Sequence, residues 1–180
     1  SLLKSLGSRI VLSKDHRVAK IYNKKKMKTF ASYSIVKKMR GSFLVLGPLI
    51  AKHYNSKCSL PGGCNLGARP VNYHLAALRK LGMSYKLKDG YILAKSKGKL
   101  KGAEIIFPRI SVGATENSII AACLARGNTI LKNCAIEPEI KDLTNFLNLA
   151  GAKIKWSGRT CKIEGVNSLN QIEYSVMADR

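Results

Sequence analysis

Apolar residues along this chain follow two alternating patterns, one with helical spacing and one with the spacing of β-strands. Helical spacing predicts helices over residues 1–7, 34–52, 70–81, 114–125 and 138–150. Gly47 and Pro48 interrupt the second of these and predict a kink there. Branched and alternating stretches predict hairpins at 9–13 with 18–22, 84–88 with 91–95 and 153–156 with 160–164. Single strands are predicted at 103–107, at 128–131 and in a short stretch ending near residue 60.

Three of the predicted helices end in the same way. The segments LLKSLG, LRKLG and LNLAG each close a helix with a glycine, and each precedes a hairpin. Gly7, Gly82 and Gly151 recur at an interval of roughly 70 residues, which indicates copies of one supersecondary unit. The pattern therefore predicts an α/β fold built from βαβαββ units. A truncated first unit covers 1–31, a second covers 32–101 and a third covers 102–180.

The composition is typical of one soluble globular domain. A chain of 180 residues with 46% hydrophobic residues can bury about two thirds of its unfolded surface. The longest apolar run, residues 43–51, contains a glycine and a proline and is shorter than the roughly 18 residues of a membrane span. The first residues do not read as a signal peptide. We therefore expect a soluble cytoplasmic protein that does not associate with membranes.

Charge is the most unusual bulk property, since 32 basic residues against 10 acidic ones give a formal net charge of +22. Three kinds of partner are compatible with it: nucleic acid, an acidic membrane surface or a small anionic substrate. The densest basic run, KKKMK at 24–28, has no aromatic side chain on which bases could stack, and the other lysines are dispersed. We therefore expect no specific nucleic-acid binding, only salt-sensitive adhesion to polyanions.

The five cysteines form neither a disulfide framework nor a metal-binding pattern. Their number is odd and no two have CxxC spacing. Four of them are interpreted as small core residues of a protein in a reducing compartment: Cys58, Cys123, Cys134 and Cys161. The histidines at positions 16, 53 and 74 fall at no ligand spacing, so we predict no metal site.

The fifth cysteine lies in a different context. Cys64 belongs to the loop SLPGGCNLGARP, residues 59–70, in which two glycines follow a proline and exclude a helix. Arg69 and the positive end of a helix starting at Pro70 would tune a thiol in this loop, which favours a reactive cysteine. The alternative, a glycine-rich turn whose cysteine is simply free, stays open on residue types alone.

Three separated motifs occur in an order typical of one enzyme family. They are MRGSFLVLGPL at 39–49, SLPGGCNLGARPVNYHL at 59–75 and RISVGATEN at 109–117. The chain resembles, nearly end to end, the UDP-N-acetylglucosamine enolpyruvyl transferases, whose cysteine loop reads LPGGCxIGxRPVDLH. The resemblance implies a domain shaped as an inside-out α/β barrel and no metal or organic cofactor. It also implies transfer of the enolpyruvyl group of phosphoenolpyruvate to the 3-hydroxyl of UDP-N-acetylglucosamine, the first committed step of peptidoglycan synthesis.

The resemblance assigns roles to individual residues. Cys64 matches the proton donor, which is also the target of fosfomycin, and a thiol pKa within reach of neutrality suits that role. Arg40 and Arg69 match arginines that hold the charge of phosphoenolpyruvate or the nucleotide through paired hydrogen bonds. The other matched substrate-binding residues are Pro70, Val71, Asn72, Tyr73, His74, Arg109, Ile110, Ser111, Val112, Gly113, Glu137, Asp179 and Arg180.

Two of these assignments have structural alternatives, and one has independent support. Residue types alone explain Arg40 as a surface cation in a basic stretch and Glu137 as a cap of the helix that starts at Pro138. The helix start at 111–113 is independently an anion cradle, because the first amides of a helix have no partners within it.

The chain departs from the family pattern at four positions. Asn72 stands for aspartate, Gly41 and Leu44 stand for alanine and tryptophan, and Arg109 stands for lysine. The family's second domain has no counterpart in these residues, so we expect a chain that binds substrates but does not turn over alone. The alternatives are the shikimate-pathway enolpyruvyl transferase, which shares the fold but lacks the PGGC loop, and a noncatalytic polyanion-binding module.

Overall fold

A computed structural model describes residues 1–24, 26–36, 40–61 and 71–178, with the backbone alone at Arg40. The helices are α1 Leu2–Ser5, α2 Tyr33–Val36, a 3₁₀ helix Arg40–Val45, α3 Leu46–His53, α4 Asn72–Lys80, α5 Val112–Ala122 and α6 Pro138–Leu149. The strands are β1 Arg9–Leu12, β2 Ala19–Tyr22, β3 Phe30–Ala31, β4 Asn55–Ser59, β5 Ser84–Lys88, β6 Tyr91–Lys95, β7 Glu104–Ile106, β8 Asn128–Lys132, β9 Lys153–Ser157 and β10 Thr160–Glu164.

Two four-stranded sheets have the same topology, with strand orders β3-β4-β6-β5 and β7-β8-β10-β9. In each sheet the first two strands are parallel and joined through helices, and the last two form an antiparallel hairpin. Helix α4 or α6 connects the parallel pair to that hairpin. The predicted βαβαββ unit is thus confirmed in two copies, and α1 with the β1–β2 hairpin repeats its last three elements.

The recurring glycines end their helices by one shared motif. At Gly82 the φ angle is +102°, a left-handed conformation that glycine adopts at little cost. Its N–H donates to the Arg79 carbonyl at 2.9 Å, and the next N–H, of Met83, donates to the Leu78 carbonyl at 3.0 Å. The same pair of hydrogen bonds, the Schellman motif, follows α1 and α6 at residues 7 and 151. The glycine repeat in the sequence is therefore a repeat of helix ends.

Helix α5 is the centre of the helical core. Helices α3, α4 and α6 all pack against it, and seven of its eleven residues are buried. A helix that is apolar or small on all sides is expected to be enclosed by other elements. The two sheets lie outside this helical layer, each with one buried face, as the alternating burial along β6 and β10 shows. The start of α5 consequently meets residues from several segments of the chain.

The single kinked helix predicted over 34–52 is wrong. Within this segment residues 40–45 form a 3₁₀ helix directly ahead of α3, so the α-helix that reaches His53 begins only at Leu46. Pro48 is the third residue of α3, where a missing N–H removes no helical hydrogen bond. The N–H of Gly47, in the same unsatisfied first turn, donates to the side chain of Asn117 at 2.8 Å. A helix start capped from a distant segment has no local sequence signal.

Smaller differences concern element ends. Helix α5 begins at Val112 and ends at Ala122, two to three residues earlier than predicted. Strand β3 was not predicted, because two residues carry too little pattern, and it forms through parallel pairing with β4. The hairpin at 84–88 and 91–95 matches its prediction residue for residue.

The four cysteines interpreted as core residues are fully buried in the structure: Cys58, Cys123, Cys134 and Cys161. Burial raises the pKa of Cys58 and of Cys123 to about 12 and that of Cys134 to about 11. At neutral pH these thiols are therefore protonated and unreactive. None of the helices in the described ranges has the length and apolar character needed to cross a membrane.

Candidate active site

The assigned residues that the structure describes lie at helix starts on one edge of the fold. Strands β7 and β8 are parallel, so α5 and α6, which follow them, both begin at the carboxyl edge of the sheet. Strand β4 is likewise parallel to β3, and α4 follows it. Ligand sites in sheets with parallel strands are found at this edge, where helix starts supply unpaired amides.

The first turn of α4 carries four of the predicted substrate-binding residues. Val71 is the N-cap residue, and its apolar side chain makes no capping hydrogen bond to the first amides of α4. Asn72 is exposed, Tyr73 is half-buried against the core, and His74 points into the helical layer. This turn thus presents backbone and amide donors outward and one imidazole inward.

The start of α5 touches that imidazole directly. Ser111 caps α5, and its Oγ accepts a hydrogen bond from the Ala114 N–H at 3.4 Å. Arg109 is exposed just before this cap. A Cβ atom at Gly113 would lie 3.1 Å from Cε1 and 3.3 Å from Nε2 of His74. Glycine at this position therefore lets the first turns of α4 and α5 come together.

A buried amide links three helical segments at this junction. The fully buried Asn117 has its Oδ1 2.8 Å from the Gly47 nitrogen of α3, and its Nδ2 3.3 Å from the Phe43 carbonyl of the 3₁₀ helix. The same Nδ2 lies 3.1 Å from Nδ1 of His74. The ring of Phe43 packs edge-on against His74, with centroids 5.1 Å apart. Arg40 begins the 3₁₀ helix that this contact holds.

Burial lowers the pKa of His74 to about 4. The ring is therefore neutral at physiological pH, and in that state one nitrogen donates and the other accepts. A neutral imidazole can pack between Phe43 and Gly113 without the cost of enclosing a charge.

The stability of the chain should consequently fall as the pH drops from about 6.5 towards about 4. In that pH range His74 is protonated in the unfolded chain but not in the folded chain. The free energy of unfolding therefore falls, by at most about 3 kcal/mol. Urea unfolding across this range should show a steep slope for the wild type and a shallower one for His74→Gln. His16→Gln, in an exposed turn, is the matched control and should keep the slope. An unchanged slope in His74→Gln would contradict burial of a neutral ring.

The start of α6 is joined to the same edge. The Oγ1 of Thr115 on α5 accepts a hydrogen bond from the Ala135 N–H at 3.1 Å, two residues before Glu137. Glu137 is the N-cap residue of α6, and its backbone carbonyl accepts from the Ile140 N–H at 2.9 Å, but its side chain makes no capping hydrogen bond. Its Oε2 is buried and has no hydrogen-bond partner within the described ranges. A buried carboxylate oxygen in this condition is suited to a ligand donor.

Sequence reasoning missed two groups of this site, Asn117 and Glu116. Burial first, and then the charge of Glu139 on α6, raise the pKa of Glu116. A carboxyl group perturbed in this way is a frequent feature of active sites. Both residues lie in RISVGATEN, the third of the family-like motifs. This motif was the only sequence signal that pointed to them, and the resemblance assigned neither of them a role.

Several assigned residues lie outside the described part of the chain: Cys64, Arg69, Pro70, Asp179 and Arg180, together with the side chain of Arg40. The described residues Pro61 and Val71 border the cysteine loop, so it connects the end of β4 to the start of α4.

Comparison with known proteins decides the family. The sequence profile of EPSP synthase (3-phosphoshikimate 1-carboxyvinyltransferase) matches residues 1–180. The chain belongs to the EPSP synthase family. The solved enolpyruvyl transferase NikO from Streptomyces tendae has a TM-score of 0.75 at 17% identity, over 92% of this chain and 39% of that one. EPSP synthase from Acinetobacter baumannii has a TM-score of 0.72 at 19% identity, over 93% and 38%. These likenesses confirm the predicted enolpyruvyl transferase fold.

Curated proteins with another name are also similar in sequence. UDP-N-acetylglucosamine 1-carboxyvinyltransferase of Pelagibacter ubique (strain HTCC1062) is 60% identical over 180 residues, which is 99% of this chain and 43% of that protein. The protein of the same name from Shewanella piezotolerans (strain WP3 / JCM 13877) is 48% identical over the same shares. The resemblance drawn from the three motifs is confirmed. The chain spans less than half the length of these relatives.

Proposed function

We propose that this chain forms part of the substrate site of an enolpyruvyl transferase acting on UDP-N-acetylglucosamine. The observation that carries the proposal is the junction of α4 and α5, where His74 packs against Gly113. It brings the two segments that the family resemblance assigns to the nucleotide, 71–74 and 109–113, into contact although they are far apart in sequence. The family members at 48% and 60% identity carry the matching name.

The chemistry of this edge suits an anionic substrate. The first amides of α4 and α5 point out of their helices, Arg109 is exposed beside them, and the net charge of +22 attracts anions. Arginine at position 109 keeps the positive charge of the family's lysine and adds a fork that can bind a phosphate through two hydrogen bonds. We assign the diphosphate of the nucleotide sugar to this place.

The reaction requires a proton for the methylene carbon of phosphoenolpyruvate, and attack on the adjacent carbon by the sugar 3-hydroxyl, which gives up its own proton to a base. Phosphate then leaves and the new methyl group loses a proton, which restores the carbon–carbon double bond. We assign the proton for the methylene carbon to the Cys64 thiol and the anionic groups of phosphoenolpyruvate to Arg40 and Arg69. The Oε2 of Glu137, which is buried and has no partner among the residues that the structure describes, supports a place for this carboxylate in the cleft. Asp179 and Arg180 are assigned to its lining.

The remainder of the site is assigned to a second domain, in cis or in trans, because the relatives are more than twice as long as this chain. The scheme uses no metal or organic cofactor, since proton transfer and charge stabilisation by side chains suffice for it. We place the reaction in the cytoplasm, as the first committed step of peptidoglycan synthesis.

One surface favours polyanion binding as a second candidate function. The strands of the sheet β3-β4-β6-β5 contain no acidic residue, and Lys57, Lys86, Lys88 and Lys95 are exposed on their outer face. The amino group of Lys57 lies 4.8 Å from the ring centroid of Tyr91. In the equivalent sheet two lysines are paired with glutamates, Lys132 with Glu104 and Lys153 with Glu164. The lysine-rich face is therefore less neutralised than its counterpart.

Calorimetric titration with UDP-N-acetylglucosamine separates the two functions. Arg109→Gln should weaken nucleotide-sugar binding about tenfold, because a charge-assisted hydrogen bond is lost. Arg126→Gln, an exposed arginine at the other end of α5, changes the charge equally and should leave the affinity near that of wild type. Equal losses of affinity in the two variants would favour the polyanion module. The same conclusion would follow if the chain bound heparin but not the nucleotide sugar, and if the double variant Lys86→Gln, Lys88→Gln no longer bound heparin.

A further inference from the structure

The orientation of the Asn117 amide can be assigned without reference to its histidine neighbour. A backbone N–H can only donate and a backbone carbonyl can only accept. The contact with the Gly47 N–H, at 2.8 Å, therefore identifies the oxygen of the amide, and the contact with the Phe43 carbonyl, at 3.3 Å, identifies its nitrogen. Two independent backbone partners give the same orientation.

This orientation determines the tautomer of His74. The amide nitrogen of Asn117 carries two hydrogens and faces Nδ1 of His74 at 3.1 Å. Since an amide nitrogen donates and does not accept, Nδ1 must be the accepting nitrogen of the ring. The proton of the neutral ring is then on Nε2. The low pKa that burial gives His74 agrees with a ring that carries only this one proton.

The protonated nitrogen faces the start of α5. Nε2 lies beside Gly113, the second residue of α5, and has no hydrogen-bond partner within the described ranges. The N–H group at Nε2 therefore stands next to the first amides of α5, at the place proposed above for the diphosphate. Together with the N–H groups of Val112 and Gly113, which the Ser111 cap leaves unbonded, it forms a set of donors.

We propose that Asn117 is a positioning residue, which holds His74 in the Nε2–H tautomer and thereby directs a hydrogen-bond donor at the phosphate groups of the nucleotide sugar. The identity of the ligand in this inference rests on the proposed function. The tautomer of His74 is independent of that function, because it follows from the hydrogen bonds of Asn117 alone. Because Asn117 also holds Gly47 and Phe43, it aligns the 3₁₀ helix that starts at Arg40 with this donor.

Asn117→Asp tests the proposal with a nearly isosteric change. A carboxylate can still accept from Gly47, but it cannot donate to Nδ1, so it should draw the proton of His74 to Nδ1. The ring nitrogens of the three histidines can be observed by ¹⁵N NMR of the labelled chain. The wild type should show the Nε2–H tautomer at neutral pH, and the variant should show a protonated Nδ1. A protonated Nδ1 in the wild type would overturn the proposal.

Affinity for UDP-N-acetylglucosamine gives the second readout. Asn117→Asp should weaken it about tenfold or more, as expected for a lost hydrogen bond to a charged group. The matched control is Asn148→Asp, since the Asn148 side chain also bonds a backbone N–H and carbonyl, both of Ile154. This control should alter neither the His74 signals nor the affinity.

A double-mutant cycle separates positioning from a structural role. If Asn117 acts through the imidazole, Asn117→Asp should cost much less affinity in a His74→Gln background. An equal loss in both backgrounds would overturn the proposal. Should Asn117→Asp fail to fold, Asn117→Ser replaces it in the same cycle. Failure of the wild type to bind the nucleotide sugar would contradict the proposed function, whereas the tautomer measurement would still decide whether Asn117 orients His74.

Discussion

An epoxide phosphonate of the fosfomycin type should add to this chain at one cysteine, and Cys64→Ser should abolish the addition. In this reaction the sulfur attacks an epoxide carbon, the carbon–oxygen bond opens, and the resulting alkoxide takes a proton, so the whole mass of the reagent is retained. The four described cysteines are buried, and burial raises the pKa of each thiol, which leaves little thiolate at neutral pH. Intact-mass and peptide mass spectrometry measure the adduct.

The nucleotide sugar distinguishes a substrate site from a merely exposed thiol. UDP-N-acetylglucosamine should accelerate addition at Cys64, because it belongs to the same proposed site. Cys134→Ala is the control, since it removes a buried thiol and should leave both adduct and acceleration intact. Labelling of several cysteines in the folded chain would argue against the transferase site. A labelling rate that does not change when the nucleotide sugar is added would do so as well.

Gly47→Ala should destabilise the fold by about 2–6 kcal/mol. A Cβ atom there would lie 2.6 Å from the backbone oxygen of Asn117 and closer still to its Oδ1. Overpacking of a core contact costs about 1–3 kcal/mol, and separating the Asn117 amide from its partners leaves buried polar groups unsatisfied, at a further cost of about 1–3 kcal/mol. Urea or thermal unfolding, followed by circular dichroism, measures the change.

Gly41→Ala is the matched control for that substitution. Gly41 lies in the neighbouring 3₁₀ helix, and the described atoms leave open space where its Cβ would be. The change should therefore be close to neutral or slightly stabilising, since alanine restricts the unfolded chain more than glycine does. Similar losses at both positions would show that helix propensity, and not the contact with Asn117, governs this region.

Local patterns in the sequence were sufficient to predict the repeated βαβαββ unit. The three glycine helix ends, the hairpins and the burial of four cysteines could all be predicted, because each depends on residues close together in the chain or on apolar character alone. The nucleotide segments at 71–74 and 109–113 were found through resemblance to a family. The start of α5 was readable from Ser111, whereas the helix start predicted at Pro70 lies two residues before the observed start of α4 at Asn72. Their contact with each other was not readable.

The amino-acid sequence by itself determined the α/β class, the βαβαββ unit and the motifs of the candidate site, since helix ends, hairpins and periodicity are short-range properties. Only the tertiary structure decided where α3 begins and how His74 is protonated. Each of these depends on a partner from a distant segment, as with the 70 residues that separate Gly47 from Asn117. A hydrogen bond over that distance leaves no periodic trace in the sequence, and it exists only once α3, α4 and α5 have packed together.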